Sequence, residues 1–149
     1  MRAALGVVSA FVAMSVAVLA LSLAPWLALG NDVVLEAGRF DSTPAYTIYA
    51  VVVGALGGVF GGWVCATIGR SRIALSIFAV LCLGAGLANH FGQQHKPEPG
   101  PRPPGMSVMD AVAQRKEPDW FTLLVPMVGV AGVLVGGWRR SSSPGGQGL

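Results

Sequence analysis

Residues 54–63 read Gly54-Ala-Leu-Gly-Gly-Val-Phe-Gly-Gly-Trp63, five glycines in ten positions. In water each glycine costs a helix about 1 kcal/mol relative to alanine, so this stretch should interrupt a helix. The flanking residues nevertheless continue an apolar, charge-free run from 46 to 68. A bilayer resolves the conflict. With no water to take up backbone N–H and C=O groups, a glycine-rich segment stays helical because nothing else satisfies its backbone.

The rest of the chain supports that solvent. Of 149 residues, 53% are hydrophobic and 11% charged, against about 25% charged in a soluble domain, and the mean hydropathy is +0.62. Charge-free runs occupy 3–29, 46–68, 73–89 and 120–138. The third reaches the roughly 20 residues that cross a hydrocarbon core only by running on through His90 and Phe91. The expected fold is therefore all-α and integral to a membrane. Four transmembrane helices, at about 3–29, 46–68, 73–91 and 120–138, form one bundle, joined by an outer proline-rich loop at 92–119. Residues 141–149, Ser-Ser-Ser-Pro-Gly-Gly-Gln-Gly-Leu, read as a disordered tail.

The glycine spacing suggests what they do. Gly54, Gly58 and Gly62 recur every fourth residue, and Gly57 and Gly61 form a second row beside them. Lipid tails do not drive helices together, so close backbone approach must. These five, with Gly132 and Gly136 of the fourth span, are the expected helix-packing residues. Packing against a helix of the same chain is the first reading; a second copy or a partner membrane subunit is the alternative. Gly6, Ala10, Ala13, Ala17, Ala20 and Ala24 alternate steps of four and three, the seam of a left-handed helix pair. Pro126, inside the fourth span, should kink it and free the Thr122 carbonyl.

Ends and loops carry their own signals. Ser42-Thr43-Pro44 sets a capping hydroxyl before a proline suited to the first helical position, and Asp119 is placed to cap the fourth span. Residues 69–72, Gly-Arg-Ser-Arg, make a tight basic turn. The proline-rich residues 96–105 read as an extended spacer, with a polyproline ligand as the alternative. Residues 107–116 read as a short amphipathic helix at the membrane surface, with Val108, Met109 and Val112 on one face and a Ser107/Asp110 capping box. The apolar run at 3–29 is about twice the length of a signal peptide's core, so it reads as an uncleaved anchor.

Charge gives orientation. Arg2, Arg70, Arg72, Arg139 and Arg140 fall on one side without an acid, while the other five cations share their side with all seven acids. Cations abutting helix ends favour the cytoplasm, which puts both termini there.

The search for chemistry is largely negative. No Asp, Glu, Lys or Arg lies inside a span, which disfavours ion pumps and proton-coupled transport. His90 and His95 sit on one loop, as polar interface residues, and not across a bundle as axial haem ligands would. Cys65 and Cys82 lie at different depths, so free thiols are expected. No catalytic, cofactor or metal residues emerge, and a pI near 9.3 reflects topology, with no nucleic-acid partner.

Residues 43–89 and 118–140, with Gly61-Gly62-Trp63-Val64, Arg70, Trp120, Pro126, Gly136 and Gly137, resemble a group of small four-helix bacterial inner-membrane proteins. The resemblance implies the fold and carries no activity. The expected function is a non-catalytic accessory or scaffold subunit, with membrane lipid and a partner subunit or second copy as its partners. The alternatives are a passive channel or carrier for a neutral or lipophilic substrate, and a redox-linked subunit binding haem or quinone.

Overall fold

A computed structural model describes residues 1–97 and 99–141. The helices are α1 (Arg2–Leu29), α2 (Asn31–Val34), α3 (Pro44–Gly69), α4 (Arg72–Gln94), α5 (Val108–Gln114) and α6 (Asp119–Ser141). The longest four are each long and apolar enough to cross a membrane. Ser141 closes α6; the rest of the expected tail, and Glu98 of the proline-rich stretch, lie outside the described residues.

α3 and α6 run parallel and approach most closely. A Cβ built on Gly58 would run into the Gly129 carbonyl, and one on Gly62 into the Val133 carbonyl. From the other side, a Cβ on Gly132 would lie 2.6 Å from the Ala55 carbonyl oxygen, and one on Gly136 would strike that of Val59. Each helix therefore seats its glycines on the other's backbone. The second α3 row faces elsewhere: Gly57 meets Val18 of α1, and Gly61 meets Met14 of α1 and Phe78 of α4.

α1 lies antiparallel to α3. Its contact row steps by four, through Gly6, Ala10, Met14 and Val18, from Gly69 up to Gly57. The expected alternating alanine seam holds only in part. Ala10 is fully buried, but Ala20 and Ala24 are exposed, because a row stepping by four turns those later alanines away from α3. At the basic end a Cβ on Gly6 would lie 2.5 Å from the Gly69 Cα. Gly69 is thus spent on close approach inside the helix. The left-handed position that ends α3, usually a glycine, falls to Arg70 at φ 47°.

Capping follows composition, with two corrections. The Thr43 hydroxyl accepts from the Tyr46 N–H at 3.3 Å and Pro44 opens α3. Asp119 is the first residue of α6 and not its cap, because the Pro118 carbonyl takes the N–H groups of Phe121 and Thr122. Ser107 accepts from the Asp110 N–H, but the Asp110 carboxylate takes the Ser107 hydroxyl proton; aspartate is one methylene shorter than the glutamate that reaches back in a capping box.

The loops at the opposite end are folded together. Trp26, Val34, Leu35, Phe40, Tyr46 and Ala111 form a buried apolar cluster, joined by Met106, Val108 and Val112. Met109 points away from it, 69% exposed, so the expected Val108–Met109–Val112 face is split and α5 seats on this cluster. The proline-rich segment is tied down as well. Arg102 pairs with Asp32 at 2.5 Å, its N–H donates to the Gly38 carbonyl, and Asn31 donates to the Met106 carbonyl at 2.8 Å. The segment expected as an extended spacer is thus held against the loop between α1 and α3.

Candidate functional site

The seven glycines singled out by spacing lie in helix–helix contacts. Of the seven only Gly54 reaches the polar chemistry of the molecule, which sits in a cavity between the long helices at the loop end. It measures about 350 Å³. Gly54 of α3 and Gly129 of α6 line its deep end, just before the level where Gly58 closes on the Gly129 carbonyl. Met14, Val18, Cys82 and Val125 make an apolar wall. Along α3 the lining runs from Tyr46 to Gly54, a rise of about 12 Å at 1.5 Å per residue. Along α1 it runs from Phe11 to Ser22, about 16 Å.

The polar groups converge at the loop end. Tyr46 is the hub: its hydroxyl accepts from the Trp26 indole N–H at 3.1 Å and from an Arg115 guanidinium N–H at 2.8 Å, and donates to the Ser22 carbonyl at 3.1 Å. That satisfies the phenol's one donor and two acceptor sites. The Arg115 guanidinium carbon also lies 5.2 Å from the Tyr46 ring centroid, within cation–π range. Arg115 forms an ion pair with Glu117, whose side chain is 7% exposed. The segment between α5 and α6 thus roofs the cavity with a paired cation and anion.

Two prolines shape the site. Pro25 in α1 has no N–H to offer the Leu21 carbonyl, and the Tyr49 hydroxyl donates to it at 2.8 Å instead. Pro126 likewise withdraws the usual donor of the Thr122 carbonyl. Its ring nests where Gly86 lacks a side chain, and both residues line the cavity.

His90 was expected as a polar interface residue at the outer end of the third span. It is buried within α4 because that helix continues to Gln94. The Thr122 hydroxyl donates to the Asp119 carbonyl at 2.9 Å, so it accepts from His90 Nδ1–H at 2.6 Å. His90 Nε2 then accepts from the Gln94 amide at 3.1 Å. This chain fixes Thr122 at the cavity wall. His95 caps α4 and donates to the Phe91 carbonyl at 2.7 Å. Cys65 and Cys82 are free thiols, Cys65 buried and Cys82 on the cavity wall.

The cavity opens sideways. Its lining residues on α3 and α6 are all buried or half-buried; Phe11 and Ser15 of α1 and Ala85 and Asn89 of α4 line it and are exposed. The gap therefore lies between α1 and α4, on the surface that would meet lipid.

Sequence reading missed this site. Ser22, Tyr46, Asn89, Arg115 and Glu117 share no local spacing that would single them out. Four helices are long and apolar enough to make a multi-pass membrane protein, and an amphipathic cavity lies between them. Compared with family models, curated proteins and solved structures, the chain matches none.

Proposed function

We propose that this is a non-catalytic protein of a bacterial inner membrane, a four-helix bundle with both termini in the cytoplasm, which takes up a lipophilic molecule from the bilayer. The observation that carries this reading is the lateral opening of the cavity between Phe11 and Ser15 on one side and Ala85 and Asn89 on the other. Pockets between helices are where such proteins hold hydrophobic ligands. This is the carrier alternative. The scaffold reading draws less support, because the glycine rows that motivated it abut helices of the same chain.

The test is photolabelling in proteoliposomes with a diazirine-bearing hydrocarbon. Labels are expected at Met14, Cys82 and Val125, in addition to lipid-facing residues such as Leu19 and Val80. Labels confined to the lipid-facing set would overturn the reading.

The orientation rests on the acid-free cations at one end. In a background lacking Cys65 and Cys82, Gln93→Cys should react with an impermeant thiol reagent in intact cells and Ser71→Cys should not. The reverse pattern inverts the topology.

A further inference from the structure

We infer that the cavity's occupant is a neutral amphiphile: an apolar chain or ring body about 12–16 Å long by the helix rise along its walls, with one uncharged carbonyl or hydroxyl head at the Asn89–Arg115 end. This rests on the binding role proposed above and adds the class of ligand.

The apolar part follows from the deep wall, where Met14, Val18 and Val125 offer no hydrogen bonds to a ligand and Ser15, the hydroxyl at that depth, lies at the exposed mouth. A polar group held there would lose its water without replacement. The head follows from charge balance at the other end. Arg115 and Glu117 are paired with each other, so the roof carries no net charge. An acid would meet Glu117 as well as Arg115, and an amine the reverse. Either must also shed its own hydration, a cost that a paired site does not offset.

Neutral hydrogen bonding remains on offer. The Asn89 amide lines the cavity and makes no hydrogen bond among the described residues. It presents both donors and an acceptor. The Thr122 carbonyl, whose i+4 residue is Pro126, is a second acceptor at the same level. A hydroxyl or carbonyl head engages these groups without disturbing the ion pair.

The experiment is competition against the photolabel at Met14 and Cys82 in vesicles. Four twelve-carbon compounds are used: dodecane, dodecanol, dodecyl sulfonate and dodecyltrimethylammonium. Dodecanol is expected to compete at about tenfold lower membrane concentration than dodecane, the scale of one net hydrogen bond, and better than either ion. Asn89→Leu should erase the advantage over dodecane. This side chain is exposed and unbonded, so the variant should fold. Glu117→Gln leaves Arg115 without its anion and should move the preference toward the sulfonate. If dodecane equals dodecanol, the head-group inference fails while the cavity reading stands. If an ion competes best in the wild-type protein, the site is not neutral and the inference is overturned. If no compound competes, the binding role itself fails.

Discussion

The two ends of the helix assembly are built on opposite plans. Toward the basic end, glycines on α3 and α6 press against each other's carbonyls, and Gly6 meets Gly69. Phe78, Cys65, Ala10, Ala74 and Val133 fill what is left, all fully buried. Toward the loop end the spacing is set by side chains: a tyrosine hub, an ion pair and a proline ring. The same helices sit backbone against backbone in one half and leave about 350 Å³ between them in the other. Close approach in a membrane comes from removing side chains, so a binding volume is made by putting them back at chosen levels.

The largest effect should come from the dense half. Gly58→Leu or Gly62→Leu drives a side chain into a backbone carbonyl of α6, which no rotamer change relieves. Each should cost about 3 kcal/mol or more, the upper range of overpacking. Val52→Leu, at a position 50% exposed, is the control. Thermal unfolding in mild detergent reads the difference. Wild-type stability in both glycine variants would show that the α3–α6 contact is not what holds this half together.

The hub should follow. Tyr46→Phe leaves the Trp26 indole N–H without its partner, takes a second donor from the Ser22 carbonyl, which keeps its place in the α1 helix, and frees one Arg115 N–H. Stranding buried polar groups costs about 1–3 kcal/mol each, less where water or a neighbour replaces the partner. A loss of about 2 kcal/mol overall is expected, with Trp26 emission shifting to the red as water reaches the indole. A silent variant would mean that the ion pair alone organises the loop end.

The two plans were unequally legible in the sequence. The four spans follow from charge-free length, and glycines repeating every fourth residue announce a surface without side chains. The partner of that surface was not specified, since both α1 and α6 carry small residues. The loop end gave almost no signal. Ser22, Tyr46, Asn89, Arg115 and Glu117 are scattered over the chain, and no local spacing relates them. They meet only because antiparallel helices bring distant residues to one level. α2 is four residues long, too short to establish a period. The basic turn was legible as a turn, but not that Gly69 would stay helical and pass the left-handed position to Arg70.

The smallest effect tests the boundary between the halves. Gly84 and Gly86 lie two residues apart on α4, so they point to different faces. A Cβ on Gly84 would meet nothing within 4 Å, whereas one on Gly86 would strike the Pro126 ring. In water both changes to alanine would gain up to about 1 kcal/mol of helix propensity. In lipid that gain shrinks, because the backbone stays helical in either case. Gly84→Ala should therefore be neutral to within a few tenths of a kcal/mol. Gly86→Ala should cost about 1–2 kcal/mol, because the rigid proline ring can yield only by shifting α6 away from α4. That shift would also widen the cavity on its α6 side, so the Gly86 variant should take up more of the hydrocarbon photolabel at Val125 while losing stability. Equal melting temperatures for the two alanine variants would place Pro126 out of contact with α4, and the proline would then be a kink with no part in shaping the site.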